Sequence, residues 1–142
     1  MKKFLKSKLF IGSTTVVILC LFIFFHFIAP RIVIGRRSAK KEYPKFEDYS
    51  VKHESFFIQS KDNLKLAGEF CFSNLDTTLG TVLFLHGIGS RKERFLPMVE
   101  VLAENGCQMI LIDMRAHGES VGDYVTIGFY EPRDMLQMLT YT

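Results

Sequence analysis

An uncharged, strongly apolar segment near the N-terminus constrains what this chain can fold into more than any other feature. Residues 9–29 read LFIGSTTVVILCLFIFFHFIA, which is 21 positions without Lys, Arg, Asp or Glu. A helix of that length, rising ~1.5 Å per residue, is about 30 Å long and matches the hydrocarbon thickness of a bilayer. The sequence therefore predicts a transmembrane helix over residues 9–29, preceded by a basic flank at residues 1–8.

A cleaved secretory signal is the alternative interpretation of this segment. Such signals have apolar regions of roughly 7–15 residues and end in a small-x-small cleavage site. Here the run is longer, and the candidate site Phe27-Ile28-Ala29 carries a bulky side chain and is followed by Pro30. We therefore expect an uncleaved, single-pass anchor with the lipid bilayer as a partner. Basic residues flank the segment on both sides, so the positive-inside rule leaves the side of the membrane open.

The charge distribution separates the head of the chain from its body. Residues 1–41 carry nine basic and no acidic side chains, whereas residues 42–142 carry nine basic and fifteen acidic ones. A nucleic-acid-binding domain needs a basic face on its folded part, so we expect no nucleic-acid partner. Three Cys and four scattered His lack the spacing of a disulfide scaffold or a zinc site, and we expect no metal and no cofactor.

The body begins with a charged, proline-containing stretch at residues 30–53, which reads as a juxtamembrane linker. Two strand-like runs follow at residues 55–60 and 64–72, separated by the turn cluster Lys61-Asp62-Asn63. In the second run the even positions hold Leu64, Leu66, Gly68, Phe70 and Phe72, while Lys65 and Glu69 occupy odd ones. This period of two predicts an antiparallel hairpin with one buried face.

Two later segments have a different pattern. Thr81–Leu85 and Met109–Ile112 are continuous apolar runs, which are typical of parallel strands buried on both faces. A helix is predicted between them, so the three segments form a βαβ unit; its apolar residues at helical spacing are Phe95, Met98, Val99 and Leu102. A last helix is predicted from Glu131-Pro132, with an apolar stripe of Met135, Leu136 and Leu139.

Two motifs follow the apolar strands. The first strand runs into HGIGS at residues 86–90, and the second ends in DMRAHGESVG at residues 113–122. Together these motifs resemble the N-terminal half of the α/β-hydrolase superfamily, and within it the serine aminopeptidase (S33) and monoacylglycerol-lipase-like branches. The resemblance covers about residues 54–142 and predicts a partial α/β-hydrolase domain there. Ala116 stands where the family usually has glycine.

The resemblance implies a role for the first motif. In this fold the loop after the third strand forms half of the oxyanion hole, and the backbone N–H of Ile88 would point at the developing alkoxide. His86, Gly87 and Gly89 complete this oxyanion-loop motif, and we expect His86 to be structural instead of acting as the catalytic base. A phosphate-binding loop is disfavoured because neither GxGxxG nor Gly-Lys-[Ser/Thr] is present.

The second motif contains a literal match to the nucleophile pattern G-x-S-x-G, at residues 118–122. A nucleophile elbow places its serine on a sharp turn directly between a strand and a helix. Here polar residues 115–117 separate the strand from the match, and residues 123–128 do not begin a helix. We therefore expect no nucleophile at Ser120. The resemblance instead implies a structural loop, with the motif residues Asp113, Arg115, His117, Gly118, Ser120 and Gly122.

The family activity implied by the resemblance is hydrolysis of an ester, thioester or amide through an acyl-serine intermediate, with a lipid or acyl-ester substrate in the full-length relative. The complete fold needs roughly 200 residues or more. In a complete member the elbow, the acid and the base histidine lie beyond residue 142, so we expect a chain truncated before the elbow and inactive alone. The alternative is a non-catalytic, membrane-tethered interaction module, or a half-domain whose sheet is completed by a partner chain.

The uncleaved anchor predicts the N-terminus of the mature protein. We expect the chain isolated from membranes to retain its N-terminal segment and to resist extraction at alkaline pH. N-terminal sequencing checks this expectation. A mature chain that begins near Arg31 would contradict the anchor.

Overall fold

A computed structural model of the protein describes residues 14–35 and 42–141. The chain divides into two units, residues 1–35 and residues 36–142. The predicted basic flank at residues 1–8 and the first part of the predicted span lie outside the described residues.

The N-terminal unit is a helix, α1, over Thr14–Ile34, which continues past the predicted end at Ala29. It contains a π-helical segment at Phe24–Ile28, and none of its residues is buried. The helix ends at Gly35, which has extended backbone angles and donates its N–H to Arg31 O at 2.9 Å. By length and composition α1 can cross a bilayer, and a signal sequence meets the same criteria. Membrane insertion therefore stays a prediction.

The second unit contains a four-stranded mixed sheet with two helices. The strands are β1 (His53–Gln59), β2 (Lys65–Cys71), β3 (Gly80–Leu85) and β4 (Cys107–Ile112), in the order β1-β2-β4-β3. β1 and β2 pair antiparallel, β2 and β4 pair antiparallel, and β3 and β4 pair parallel. Helix α2 (Leu96–Glu104) connects β3 to β4, and α3 (Glu131–Tyr141) follows a long loop. The predicted hairpin and βαβ unit are confirmed.

Strand β4 lies at the centre of the core because it has a neighbouring strand on each side. Its residues Met109–Ile112 are at most 3% exposed. Met109 and Leu111 pack in the cluster that contains α2, while Ile110 and Ile112 pack with Met138 of α3. Since successive side chains of a strand point to opposite faces, the two helices cover opposite faces of the sheet.

Two strands differ from their predicted burial. β2 was expected to bury one face, yet both faces are covered, because Leu66 packs with Met138 of α3 and Cys71, on the opposite face, packs with residues of α2. Its Glu69 is 3% exposed and accepts hydrogen bonds from His53 Nδ1 at 2.7 Å and Ser55 Oγ at 2.8 Å. β3 was expected to be buried on both faces, but it is an edge strand in the described sheet, and Leu85 at its end is 41% exposed.

The buried faces of both helices differ in part from the predicted ones. Met98 of α2 is 55% exposed, and the inward positions of that helix are Leu96, Val99 and Ala103. In α3 the stripe prediction is wrong for Leu136 and Leu139, which are exposed. The inward face of α3 is instead formed by Glu131, Asp134 and Met138, because the two acidic residues bond to the loops that precede the helix.

Arg115 joins three parts of this unit. The side chain is 3% exposed, and it donates to Asp134 at the start of α3 at 2.7 and 2.9 Å. It also donates to Asp62 in the β1–β2 turn at 3.0 and 3.2 Å. The guanidinium lies over the ring of Tyr130, 4.6 Å from its centre. Arg115 therefore holds the loop after β4 against the hairpin turn and α3.

This arrangement predicts a pH dependence of folding stability. The hydrogen bond from Arg115 lowers the pKa of Asp62 from 3.8 to about 2. The Asp62 carboxylate therefore stabilises the fold above about pH 4, and this contribution is lost as the pH falls towards 2. We expect Asp62→Asn to lower the free energy of unfolding by less than about 1 kcal/mol at pH 5, since the side chain is 36% exposed and screened by solvent.

Urea unfolding of both forms, followed by circular dichroism at about pH 5 and about pH 2.5, measures the effect. The difference between wild type and Asp62→Asn shrinks at the lower pH if the carboxylate is responsible. A difference that is the same at both pH values would contradict the assignment.

Candidate functional site

The loop at the end of β3 forms a tight turn. Ser90 N–H donates to Gly87 O at 3.2 Å and closes the turn, and Gly89 has a φ of +75°, in the left-handed region that glycine tolerates. Within the described residues the N–H of Ile88, the sequence-predicted oxyanion donor, donates no hydrogen bond, and neither does the N–H of Gly87. Ile88 is 56% exposed. The turn therefore leaves the Ile88 N–H without an internal acceptor.

His117 fixes this loop from the motif after β4. Its Nε2 accepts the Gly89 N–H at 2.9 Å, and its Nδ1 lies 2.9 Å from Arg115 O. Since Nε2 accepts a proton donor and Nδ1 faces a carbonyl, the imidazole is neutral with its proton on Nδ1. Burial lowers the pKa of His117, which keeps the ring in this form. The two predicted motifs are thus in direct contact.

His86 has the same tautomer for the same reason. Its Nε2 accepts the Met114 N–H at 3.0 Å, and its Nδ1 donates to Gly87 O at 2.9 Å. Nε2 also lies 3.5 Å from Asp113 Oδ1, but no proton is available on Nε2 to join the two. Both ring nitrogens are therefore occupied by the backbone, which supports the expected structural role and leaves no nitrogen for proton transfer.

Asp113 lies at the end of β4 and is completely buried. Oδ1 accepts the backbone N–H of Lys92 at 2.9 Å, and Oδ2 accepts the N–H of Glu119 at 3.0 Å. The Lys92 ammonium, 2% exposed, lies 3.4 Å from Oδ2 and also bonds to Glu119. Burial raises the pKa of Asp113, but the hydrogen bonds and the Lys92 charge outweigh that effect and hold the pKa below its usual range. The carboxylate thus connects the two loops.

Ser120, the serine of the G-x-S-x-G match, is fully buried. Its Oγ donates to Asp113 O at 2.5 Å and accepts the Ala67 N–H of β2 at 2.9 Å. The hydroxyl proton is therefore held by a carbonyl, and no imidazole bonds to Oγ. This geometry is that of a structural bridge between β2 and the end of β4, and it agrees with the exclusion of Ser120 as a nucleophile.

The glycines and Ala116 of the second motif adopt conformations that favour glycine. Ala116 has a φ of +61°, which explains why glycine suits this position in the family. Gly118 has a φ of +48°, and a Cβ there would lie 2.0 Å from Asp113 Oδ2. Gly122 has a φ of +138° and faces the backbone of Ala116. The motif therefore reflects backbone geometry around Asp113.

A cavity of about 220 Å³ opens beside the Ile88 N–H, and sequence reasoning missed most of its wall. The loop before α3 supplies one side of it. The sequence indicates Glu131 only as the start of a helix. Its carboxylate holds that loop in place by accepting hydrogen bonds from the N–H groups of Thr126 at 2.7 Å and Gly128 at 2.8 Å. Nothing in the local pattern indicates that residues 123–130 return to the β3 loop. The lining residues are His86, Gly87, Ile88, Met114, His117, Val125, Ile127, Gly128 and Glu131.

No group of three or more His, Cys, Asp or Glu side chains is arranged to hold a metal ion within the part of the chain that the structure describes. The absence of a cofactor stays a prediction. The site, as described, consists of the Ile88 N–H without an internal acceptor, two imidazoles bonded to the backbone, and a cavity that Ile88 lines.

The fold of the second unit, a mixed sheet with a crossover helix, resembles solved structures of α/β hydrolases and esterases. The chain is similar to the esterase Pf2001 of Pyrococcus furiosus, at 25% identity and a TM-score of 0.60 over 76% of this chain and 41% of that one. It also resembles a probable hydrolytic enzyme (PA3053) of Pseudomonas aeruginosa PAO1, at 18% identity and a TM-score of 0.51 over 66% of this chain and 31% of that one.

These comparisons support the superfamily and leave the finer branch as a prediction. The chain spans less than half the length of the structures it matches. No protein-family model and no curated protein matches the sequence.

Because Gly118 lies close to the Asp113 carboxylate, adding one methyl group at Gly118 should lower the stability of the fold markedly. Gly118→Ala forces a Cβ into the Asp113 carboxylate, so we expect a loss of at least about 2 kcal/mol in the free energy of unfolding. Gly128→Ala is the matched control because Gly128 also has a positive φ, +88°, but nothing lies within 4 Å of its Cβ position. Its cost is limited to backbone strain of about 1 kcal/mol.

Chemical unfolding of the two variants separates steric from conformational cost. Equal destabilisation would show that the Asp113 carboxylate has room to move, and would contradict its role as a fixed link between the loops.

Proposed function

We propose that this chain carries the oxyanion-loop part of a membrane-anchored acyl hydrolase acting on an ester, thioester or amide. The observation that supports this function most strongly is the contrast between two adjacent amides. Gly89 N–H is bound internally by His117, whereas Ile88 N–H has no acceptor among the described residues, and Ile88 lines the cavity. Oxyanion stabilisation requires a backbone donor that no protein group already occupies.

The chemistry follows from the position of that donor. Attack on an acyl carbonyl develops negative charge on its oxygen, and a preorganised N–H stabilises this charge without reorganisation during the reaction. The loop is held on both sides of Ile88, by the bonds of His86 to Gly87 and of His117 to Gly89. Removal of one such donor in other hydrolases costs about 10²–10³ in kcat. We assign Ile88 this electrostatic role.

The described residues do not form the nucleophilic relay of an acyl-serine mechanism, which needs a serine bonded to a base that a third group orients. Ser120 is the only serine in an elbow-like pattern, and its hydroxyl is bonded to backbone on both sides. We therefore propose that these residues contribute transition-state stabilisation and do not supply the attacking group.

Anchoring in the bilayer is part of the proposal, and it is supported by the length and composition of α1. A hydrolase tethered by a single span has direct access to lipid or acyl-ester substrates dissolved in the membrane. The side of the membrane on which the second unit lies is left open by the balanced basic flanks.

The proposal predicts that the 142-residue chain alone is inactive. In lipid nanodiscs we expect no hydrolysis of p-nitrophenyl butyrate above that of Ser120→Ala, and no labelling by a fluorophosphonate probe. An esterase of known activity serves as the positive control, and circular dichroism confirms that both forms are folded. Turnover by wild type that disappears in a folded Ser120→Ala variant would contradict the proposal.

The free edge of β3 favours a second candidate, a half-domain whose sheet is completed by a partner chain. β3 pairs only with β4 in the described sheet, and an apolar edge strand presents unpaired backbone groups to another strand. Thr81→Lys places a charge on this exposed edge, and Thr77→Lys, in the exposed loop before it, is the control. A β3 partner isolated from native membranes should be retained by Thr77→Lys and lost by Thr81→Lys. Equal retention would exclude pairing at β3.

A further inference from the structure

The cavity beside Ile88 has an apolar character, because the polar side chains in its wall are hydrogen-bonded within the protein. We propose that it binds the alkyl part of a straight-chain acyl substrate, and that Ile127 sets the chain length it accepts. This inference rests on the proposed function, since it names the substrate class of the same site.

Each polar side chain in the cavity wall is bonded within the protein. His86 and His117 each engage both ring nitrogens with backbone groups. The Glu131 carboxylate accepts two backbone N–H groups and the Thr126 hydroxyl at 2.6 Å. The wall therefore offers no unbonded charged side chain to a ligand, and its available polar contacts are backbone groups, among them the Ile88 N–H.

The remaining wall is aliphatic. Ile88, Met114, Val125 and Ile127 supply side chains, while Gly87 and Gly128 have none and leave space. A ligand that places a carbonyl oxygen at Ile88 N–H therefore extends its substituent along an apolar surface. A charged or hydroxylated substituent would lose hydration there without gaining a partner.

Ile127 occupies an unusual position in this wall. It is 68% exposed and has a φ of +49°, a conformation that is a genuine outlier for a β-branched residue. The residues on either side, Thr126 and Gly128, are both held by Glu131. The strained backbone is thus maintained by a buried carboxylate while an isoleucine side chain is presented to the cavity. Backbone strain of this kind is concentrated at active sites and ligand-binding sites.

The size of the cavity sets the length of the chain. An apolar cavity of about 150 Å³ holds benzene, so the 220 Å³ here accommodates an alkyl chain of roughly six to eight carbons. Below that limit each added methylene should tighten binding about fourfold. Beyond it, further methylenes pass Ile127 into solvent and add little.

A binding series with methyl alkylphosphonates of two to twelve alkyl carbons tests the inference, because these anions mimic the tetrahedral intermediate and carry the chain. The full protein is studied in lipid nanodiscs by NMR, and free probe is corrected with empty nanodiscs. We expect the Ile88 amide and the Ile127 methyl signals to shift together, with affinity rising about fourfold per carbon to a plateau at roughly six to eight carbons.

Two variants locate the length limit. Ile127→Ala should move the plateau to longer chains, whereas Leu136→Ala, which removes a side chain of similar exposure outside the cavity wall, should leave it unchanged. Affinity independent of chain length, or an unchanged plateau in folded Ile127→Ala, overturns the inference while the Ile88 shift still supports the proposed function. A shift of the Ile127 methyl without a shift of the Ile88 amide overturns the acyl assignment together with the proposed function.

Discussion

The rest of the site depends on the hydrogen bonds that the buried carboxylate of Asp113 accepts from two loops. The carboxylate accepts the N–H of Lys92, just after the β3 loop, and the N–H of Glu119, in the loop after β4. Burying a charge is costly unless hydrogen bonds and an opposite charge compensate. Here the two backbone N–H groups bonded to the carboxylate oxygens and the Lys92 ammonium provide that compensation. Two loops that are distant in sequence are therefore fixed against each other at the end of the parallel strand pair.

The fixed contact between the loops determines which backbone groups remain free. With the loops joined, His117 reaches Gly89 and His86 reaches Met114, and each imidazole becomes a neutral acceptor for a backbone N–H. The Ile88 N–H has no acceptor in the described part of the chain. The oxyanion role that we propose for Ile88 rests on this difference from Gly89, which is an arrangement that no single residue encodes.

Much of this fold follows from the sequence, since local periodicity reflects which faces a strand buries. The apolar runs in β3 and β4 predict a parallel pair, and HGIGS with DMRAHGESVG predicts the resemblance to α/β hydrolases but not the contact between the two loops. The packing of each strand is set by tertiary contacts instead. β2 buries side chains on both faces because α2 and α3 cover opposite faces of the sheet, and β3 stays half-exposed at an edge. The cavity wall could not be predicted from the sequence either. Glu131 holds the loop that contains Ile127 through hydrogen bonds from backbone amides, and such bonds leave no pattern in the sequence.

Amide hydrogen exchange at two adjacent residues tests whether Ile88 carries a free donor of this loop. In the full chain in nanodiscs, NMR at near-neutral pH measures exchange at Ile88 and Gly89 separately. We expect strong protection of the Gly89 amide, which is bound to His117, and fast exchange of the Ile88 amide, which has no internal acceptor. Protection of Ile88 together with fast exchange of Gly89 would contradict this expectation, because the loop would then present a different donor from the one assigned to the oxyanion.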